Sequence, residues 1–167
     1  MRRKWFNPDC PPKTFAAIDF ETADYGRDSA CSVAVVRVEG RQIVARECKL
    51  IRPPRRTFHF THIHGISWRQ VADQPTFAEI WPLFASLIEG VEFLAAHNAS
   101  FDRGVLRECC FQAMMAPPEA SFKCLLSRIC GRVWAEEGCQ VDGREPVRSF
   151  RIRESRMIFS WSVWLCC

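Results

Sequence analysis

The chain has 167 residues and a formal charge of +4, with 48% hydrophobic and 25% charged residues. That length supports one domain with a core of its own, and that balance excludes a disordered chain. The best candidate for a membrane span, residues 157–167, is too short and holds two serines. The basic N-terminus lacks the apolar segment of a secretory signal. The chain therefore reads as soluble and cytoplasmic, with no membrane partner.

Residues 1–13, carrying Pro8, Pro11 and Pro12, read as a mobile N-terminal arm. Residues 14–21 (TFAAIDFE) form an apolar strand that ends in carboxylates. Residues 31–39 and 42–51 flank Gly40-Arg41 and predict a hairpin. A basic loop with Arg52, Arg55 and Arg56 follows; it suits either phosphate contacts or plain solvation. Ser67 with Gln70, and Thr76 with Glu79, have capping-box spacing and predict a short helix from Trp68 and a longer one from Phe77. In the longer helix Phe77, Ile80, Trp81, Phe84, Leu87 and Ile88 form one buried stripe. Pro82 should kink it or delay its regular part, and Gly90 stops it.

Residues 91–96 read as a short buried strand, and Asn98 as the N-cap of a helix to about Met115, with Phe101, Val105, Cys109 and Ala113 on one face. The Met114-Met115 pair reads as core filling. Three strands, a helix, a strand and a helix predict an α/β fold, a mixed sheet covered by helices. The ten cysteines include no C-x-x-C pair, so neither a zinc site nor a disulfide framework is indicated and reduced thiols are expected.

Asp19 and Glu21 lie two apart on one strand, so both side chains project from the same face, while Ile18 and Phe20 point into the core. Alone, such a pair is most simply a strand ending in water. Asp102, in the first turn of the later helix, has its own plain explanation in the helix dipole. Brought together, three carboxylates suit hard divalent ions, Mg²⁺ or Mn²⁺, and two such ions can drive phosphodiester hydrolysis.

D-F-E-T-A (Asp19 to Ala23) resembles the first motif of the DEDD-type 3′–5′ exonuclease family, and H-N-A-S-F-D (His97 to Asp102) resembles the second. The stretch T-H-I-H-G-I-S followed by P-T-F-A-E-I-W-P is similar to the segment between those motifs in the proofreading epsilon subunit of bacterial replicative DNA polymerase. The resemblance covers about residues 14–123. It implies a ribonuclease-H-like fold, a two-metal site of Mg²⁺ or Mn²⁺, and single-stranded nucleic-acid 3′ ends as substrate. DNA is favoured over RNA, although no residue is identifiable as a reader of a 2′-hydroxyl, and a DNA polymerase is a candidate partner. It also implies residue roles. Asp19 would bridge both metals, Glu21 would hold one and lie near the terminal 3′-hydroxyl, and Asp102 would hold the second. Thr22 would line the nucleotide pocket, Asn98 would brace the helix start, and Phe101 would pack beneath the site.

The family's third motif, a general-base histidine with a fourth metal-binding aspartate, is missing. The four histidines are His59, His62, His64 and His97, and the only aspartate after Asp102 is Asp142. His62 and His64 read as partly exposed loop imidazoles rather than substitute bases, and His97 as a hydrogen-bonded neighbour of the site. The loss falls in residues 124–167, which hold five of the ten cysteines, seven arginines and no lysine. An Arg-rich subdomain would explain that composition; an out-of-frame tail, leaving the fold incomplete at its C-terminus, is favoured. Catalysis is then expected to be severely impaired. The competing reading is a non-catalytic nucleic-acid- or polymerase-binding module.

Overall fold

The computed structural model describes residues 13–40 and 42–124. The expectations for the arm before Lys13, for Asp142 and for the tail beyond Cys124 lie outside the described residues. Five strands are described: β1 (Lys13–Thr22), β2 (Ala30–Gly40), β3 (Gln42–Leu50), β4 (Phe93–Ala96) and β5 (Ser121–Cys124). They form one mixed sheet in the order β3-β2-β1-β4-β5. The first three run antiparallel, as the hairpin signal predicts, and Gly40 ends β2 with φ 62°, a value glycine adopts without strain. β4 runs parallel to β1, and β5 parallel to β4. β5 was not foreseen; four residues after a Pro-Pro pair carry too short a pattern to announce a strand.

The helices are α1 (Thr61–His64), α2 (Trp68–Val71), α3 (Phe77–Ile88) and α4 (Ala99–Gln112). Both capping boxes form: Gln70 Oε1 accepts the Ser67 N–H at 2.8 Å, and Glu79 Oε2 accepts the Thr76 N–H at 2.6 Å. α3 continues through Pro82, giving up one intrahelical hydrogen bond. Its buried residues are Phe77, Ile80, Trp81, Phe84 and Ile88, close to the predicted stripe.

α3 and α4 share a core with the sheet face that carries Ile18, Phe20, Val33 and Val35. α4 contributes Val105, Leu106, Cys109 and Cys110. Phe101 does not pack beneath the site: it is 36% exposed, because the stripe of α4 turned to the sheet runs through Asp102, Val105 and Leu106, one position on. Met114 is a second correction; it is 95% exposed, turned outward at φ 54°, and only Met115 reaches the core. Cys31, Cys109, Cys110 and Cys124 form no disulfide, and the Cys124 thiol donates to the His97 carbonyl at 3.4 Å, whereas Cys48 is disulfide-bonded, which departs from the expected set of reduced thiols. Among the described residues no helix is long and apolar enough to cross a membrane.

Candidate active site

β1 carries Asp19 and Glu21 on one face, both partly exposed, and buries Ile18 and Phe20 on the other. The alternation of a strand is sufficient cause. The parallel pairing of β1 with β4 then brings the start of α4 beside them. Asp102, only 3% exposed, turns its Oδ1 to the backbone N–H of Phe20 at 3.1 Å, a buried hydrogen bond across 82 positions of sequence. The amide it engages lies between Asp19 and Glu21 in the chain.

The electrostatics follow from that approach. Burial, then the charge of Asp19, pushes the Glu21 carboxyl up to about 7. Burial and Asp19 also push Asp102 up to about 7, with a smaller contribution from Glu21 and an opposing pull from the Phe20 N–H. A first-turn aspartate would ordinarily be favoured as an anion by the helix end; here desolvation outweighs the helix end. The three acids therefore lie within range of one another's charge. Their oxygens are the donors a hard divalent cation takes, and a cation would offset the repulsion that raises both carboxyls. Among the described residues no group of three His, Cys, Asp or Glu side chains is already gathered as a metal site.

Thr22, the last residue of β1, is buried, and its carbonyl meets His64 Nε2 at 3.2 Å. The Ile66 N–H donates to His64 Nδ1 at 3.0 Å, which leaves the ring proton on Nε2 to donate to Thr22. His64 is thus not a partly exposed loop imidazole; it is 4% exposed, and burial holds it below the usual imidazole range. With both nitrogens engaged it braces the end of β1 and has no capacity to act as a base. His64→Ala should lower stability by about 2–4 kcal/mol, since it leaves two buried backbone groups unpaired and opens a cavity. Urea unfolding measures this; a change below about 0.5 kcal/mol would refute the brace.

Asn98 occupies the N-cap position, but its side chain does not cap the helix. With φ −119° and ψ 80° it leaves the extended geometry that aims a cap at the first turn. Its Oδ1 accepts the Ser100 hydroxyl at 3.0 Å instead, and its carbonyl receives the Phe101 and Asp102 N–H groups.

The basic loop divides by partner. Arg55 forks onto two acids, donating to Asp24 at 2.9 and 3.0 Å and to Asp28 at 2.7 Å, and its charge is spent there. Its guanidinium holds Asp24 below the usual carboxylate range. A Cβ at Gly26 would run into this ion pair. Arg56 lies over the Trp68 ring, 5.3 Å from its centroid. Sequence reasoning missed the Arg55 clamp; the only signal was two aspartates four residues apart, just past the first motif.

The exonuclease family (RNase_T) model matches residues 16–130 of this chain. The chain belongs to that family. An epsilon-like DNA polymerase III subunit protein of Rhodobacter capsulatus is 36% identical over 100 residues, covering 56% of this chain and 14% of its own length. The chain spans between 7% and 20% of the length of the curated relatives it matches. Among solved structures, exonuclease X in complex with 5′-overhanging duplex DNA superposes with a TM-score of 0.55 at 28% identity, covering 73% of this chain and 65% of that one. A zinc-bound exonuclease I–single-stranded DNA complex from E. coli gives a TM-score of 0.63 at 19% identity, covering 87% of this chain and 35% of that one. The mixed five-stranded sheet is the ribonuclease-H-like arrangement of these exonucleases.

Proposed function

We propose that this exonuclease-family chain hydrolyses nucleotides from the 3′ ends of DNA with divalent metal, Mg²⁺ or Mn²⁺, and that it does so slowly. The observation that carries the reading is the buried hydrogen bond from the Phe20 amide to Asp102, which ties the second motif to the first. Asp19, Glu21 and Asp102 would hold the cations. When bound, such ions activate water and stabilise the departing oxygen. Water oxygen bonds to the terminal phosphorus as the bond to the 3′-oxygen of the preceding nucleotide breaks, so a 5′-mononucleotide and a new 3′-hydroxyl are formed. Thr22, at the end of β1, would line the nucleotide pocket, Asn98 would brace the start of α4, and Phe101, next to Asp102 in the chain and 36% exposed, would offer a ring for a base.

No described histidine supplies the family's general base from the third motif, and His64 has no nitrogen free for the task. Loss of a positioned base lowers rates by about 10²–10⁴-fold. The composition of residues 124–167 supports a tail read out of frame, with the break in frame placed after Cys124, which still closes β5 against Ala96, and near the end of the family match at residue 130. The likeness to an epsilon-like protein supports a DNA polymerase as partner.

The test is Mg²⁺-dependent release of mononucleotides from a 3′-labelled single-stranded oligonucleotide. Slow release abolished by Asp19→Ala is expected. Release unchanged by Asp19→Ala, or from the 5′ end, would overturn the proposal. The alternative is a non-catalytic nucleic-acid- or polymerase-binding module. It predicts no hydrolysis and oligonucleotide affinity that survives removal of Asp19, Glu21 and Asp102 together.

A further inference from the structure

Among the described residues, one buried side-chain polar atom lacks a hydrogen-bond partner: the hydroxyl of Ser32. Its place in the sheet is informative. Ser32 is 1% exposed on β2 and stands directly across the antiparallel ladder from Glu21. Cross-strand partners project from the same face, so the hydroxyl and the carboxylate share one side of the sheet. The next pair on that face sets Ala34 against Asp19, a side chain with nothing to donate. β2 holds Ser32 firmly, because Ser32 also pairs with Leu50 of β3 on its other side. The ladder slips by one residue just beyond, between Glu21 and Thr22, so Glu21 is the last acid in regular register with β2.

A buried hydroxyl without a partner is unfavourable by roughly 1–3 kcal/mol, and such atoms in native folds call for an explanation. A serine at this position would be replaced by alanine at no loss if packing were its whole purpose. We infer that Ser32 is a positioning residue for Glu21: its hydroxyl donates to the Glu21 carboxylate when that group turns to hold a cation, fixing which oxygen faces the ion. The assignment rests on the metal-binding reading of the site given above. It adds a residue of β2 to a site otherwise built from β1 and α4.

Mn²⁺ binding to the full chain, measured by titration calorimetry, tests it alongside thermal unfolding in EDTA. Ser32→Ala should weaken Mn²⁺ by about tenfold, the value of one hydrogen bond to a charged group. In EDTA the same variant should unfold at the wild-type temperature or above it, because the hydroxyl is unsatisfied without the ion. In a Glu21→Gln background, Ser32→Ala should have no further effect on binding. Wild-type affinity in Ser32→Ala would overturn the assignment, as would a loss of affinity that persists in Glu21→Gln or comes with a lower unfolding temperature in EDTA. Should Ser32→Ala not fold, Ser32→Cys keeps the side-chain shape with a weaker donor and is read by the same outcomes. Failure of the wild-type chain to bind Mn²⁺ overturns the metal reading and this assignment together, whereas normal binding that ignores Ser32 removes this assignment alone.

Discussion

Replacing residues 125–167 with the third-motif segment of an intact family member should raise 3′-end hydrolysis by about 10²–10⁴-fold. That factor corresponds to roughly 3–5 kcal/mol of activation free energy. Asp19, Glu21 and Asp102 are already within range of one another, so the added segment supplies a base and a fourth carboxylate rather than rebuilding the site. Substituting alanine for the grafted histidine should remove most of the gain and leave the unfolding temperature unchanged. That variant separates the chemistry of a base from a general improvement in folding. Asp19→Ala should silence the graft and the native chain alike. A graft no faster than the native chain would overturn the impairment argument.

The second large effect is a pH-dependent stability that a divalent cation reverses. Glu21 and Asp102 are raised from 4.5 and 3.8 to about 7 in the folded chain. The folded state therefore holds protons that the unfolded chain has released. The stability linked to these groups is complete below the unfolded values and is lost as pH rises through about 7. In EDTA, stability should fall between about pH 5 and pH 8 by on the order of 3 kcal/mol, or roughly 10 °C in unfolding temperature. Asp24, held low by Arg55, acts in the opposite sense and weakens the fold only at more acidic pH. Above about pH 7, millimolar Mn²⁺ should restore what ionisation removed, because it binds only the assembled carboxylates; near pH 5 it should do little. Thermal melts at both pH values, with EDTA and with Mn²⁺, measure this. Stability that rises across the window in EDTA, or a melt indifferent to Mn²⁺ near pH 8, would contradict it.

The sequence alone determined whatever is set within a turn or two of chain. Strand alternation put Asp19 and Glu21 on one face and Ile18 and Phe20 in the core. Capping-box spacing marked the starts of α2 and α3, and the apolar stripe of α3 named its buried side. The paired motifs D-F-E-T-A and H-N-A-S-F-D identified the family, which residues 16–130 bear out. Tertiary structure decided the rest: the approach of Asp102 to the Phe20 amide, the burial of His64 against Thr22, the fork of Arg55 on Asp24 and Asp28, and Ser32 facing Glu21. Each of these joins groups from separate elements, and which elements become neighbours is settled when the sheet closes in the order β3-β2-β1-β4-β5. Desolvation has the same origin, since how far a carboxylate or an imidazole is withdrawn from water depends on what packs around it in space.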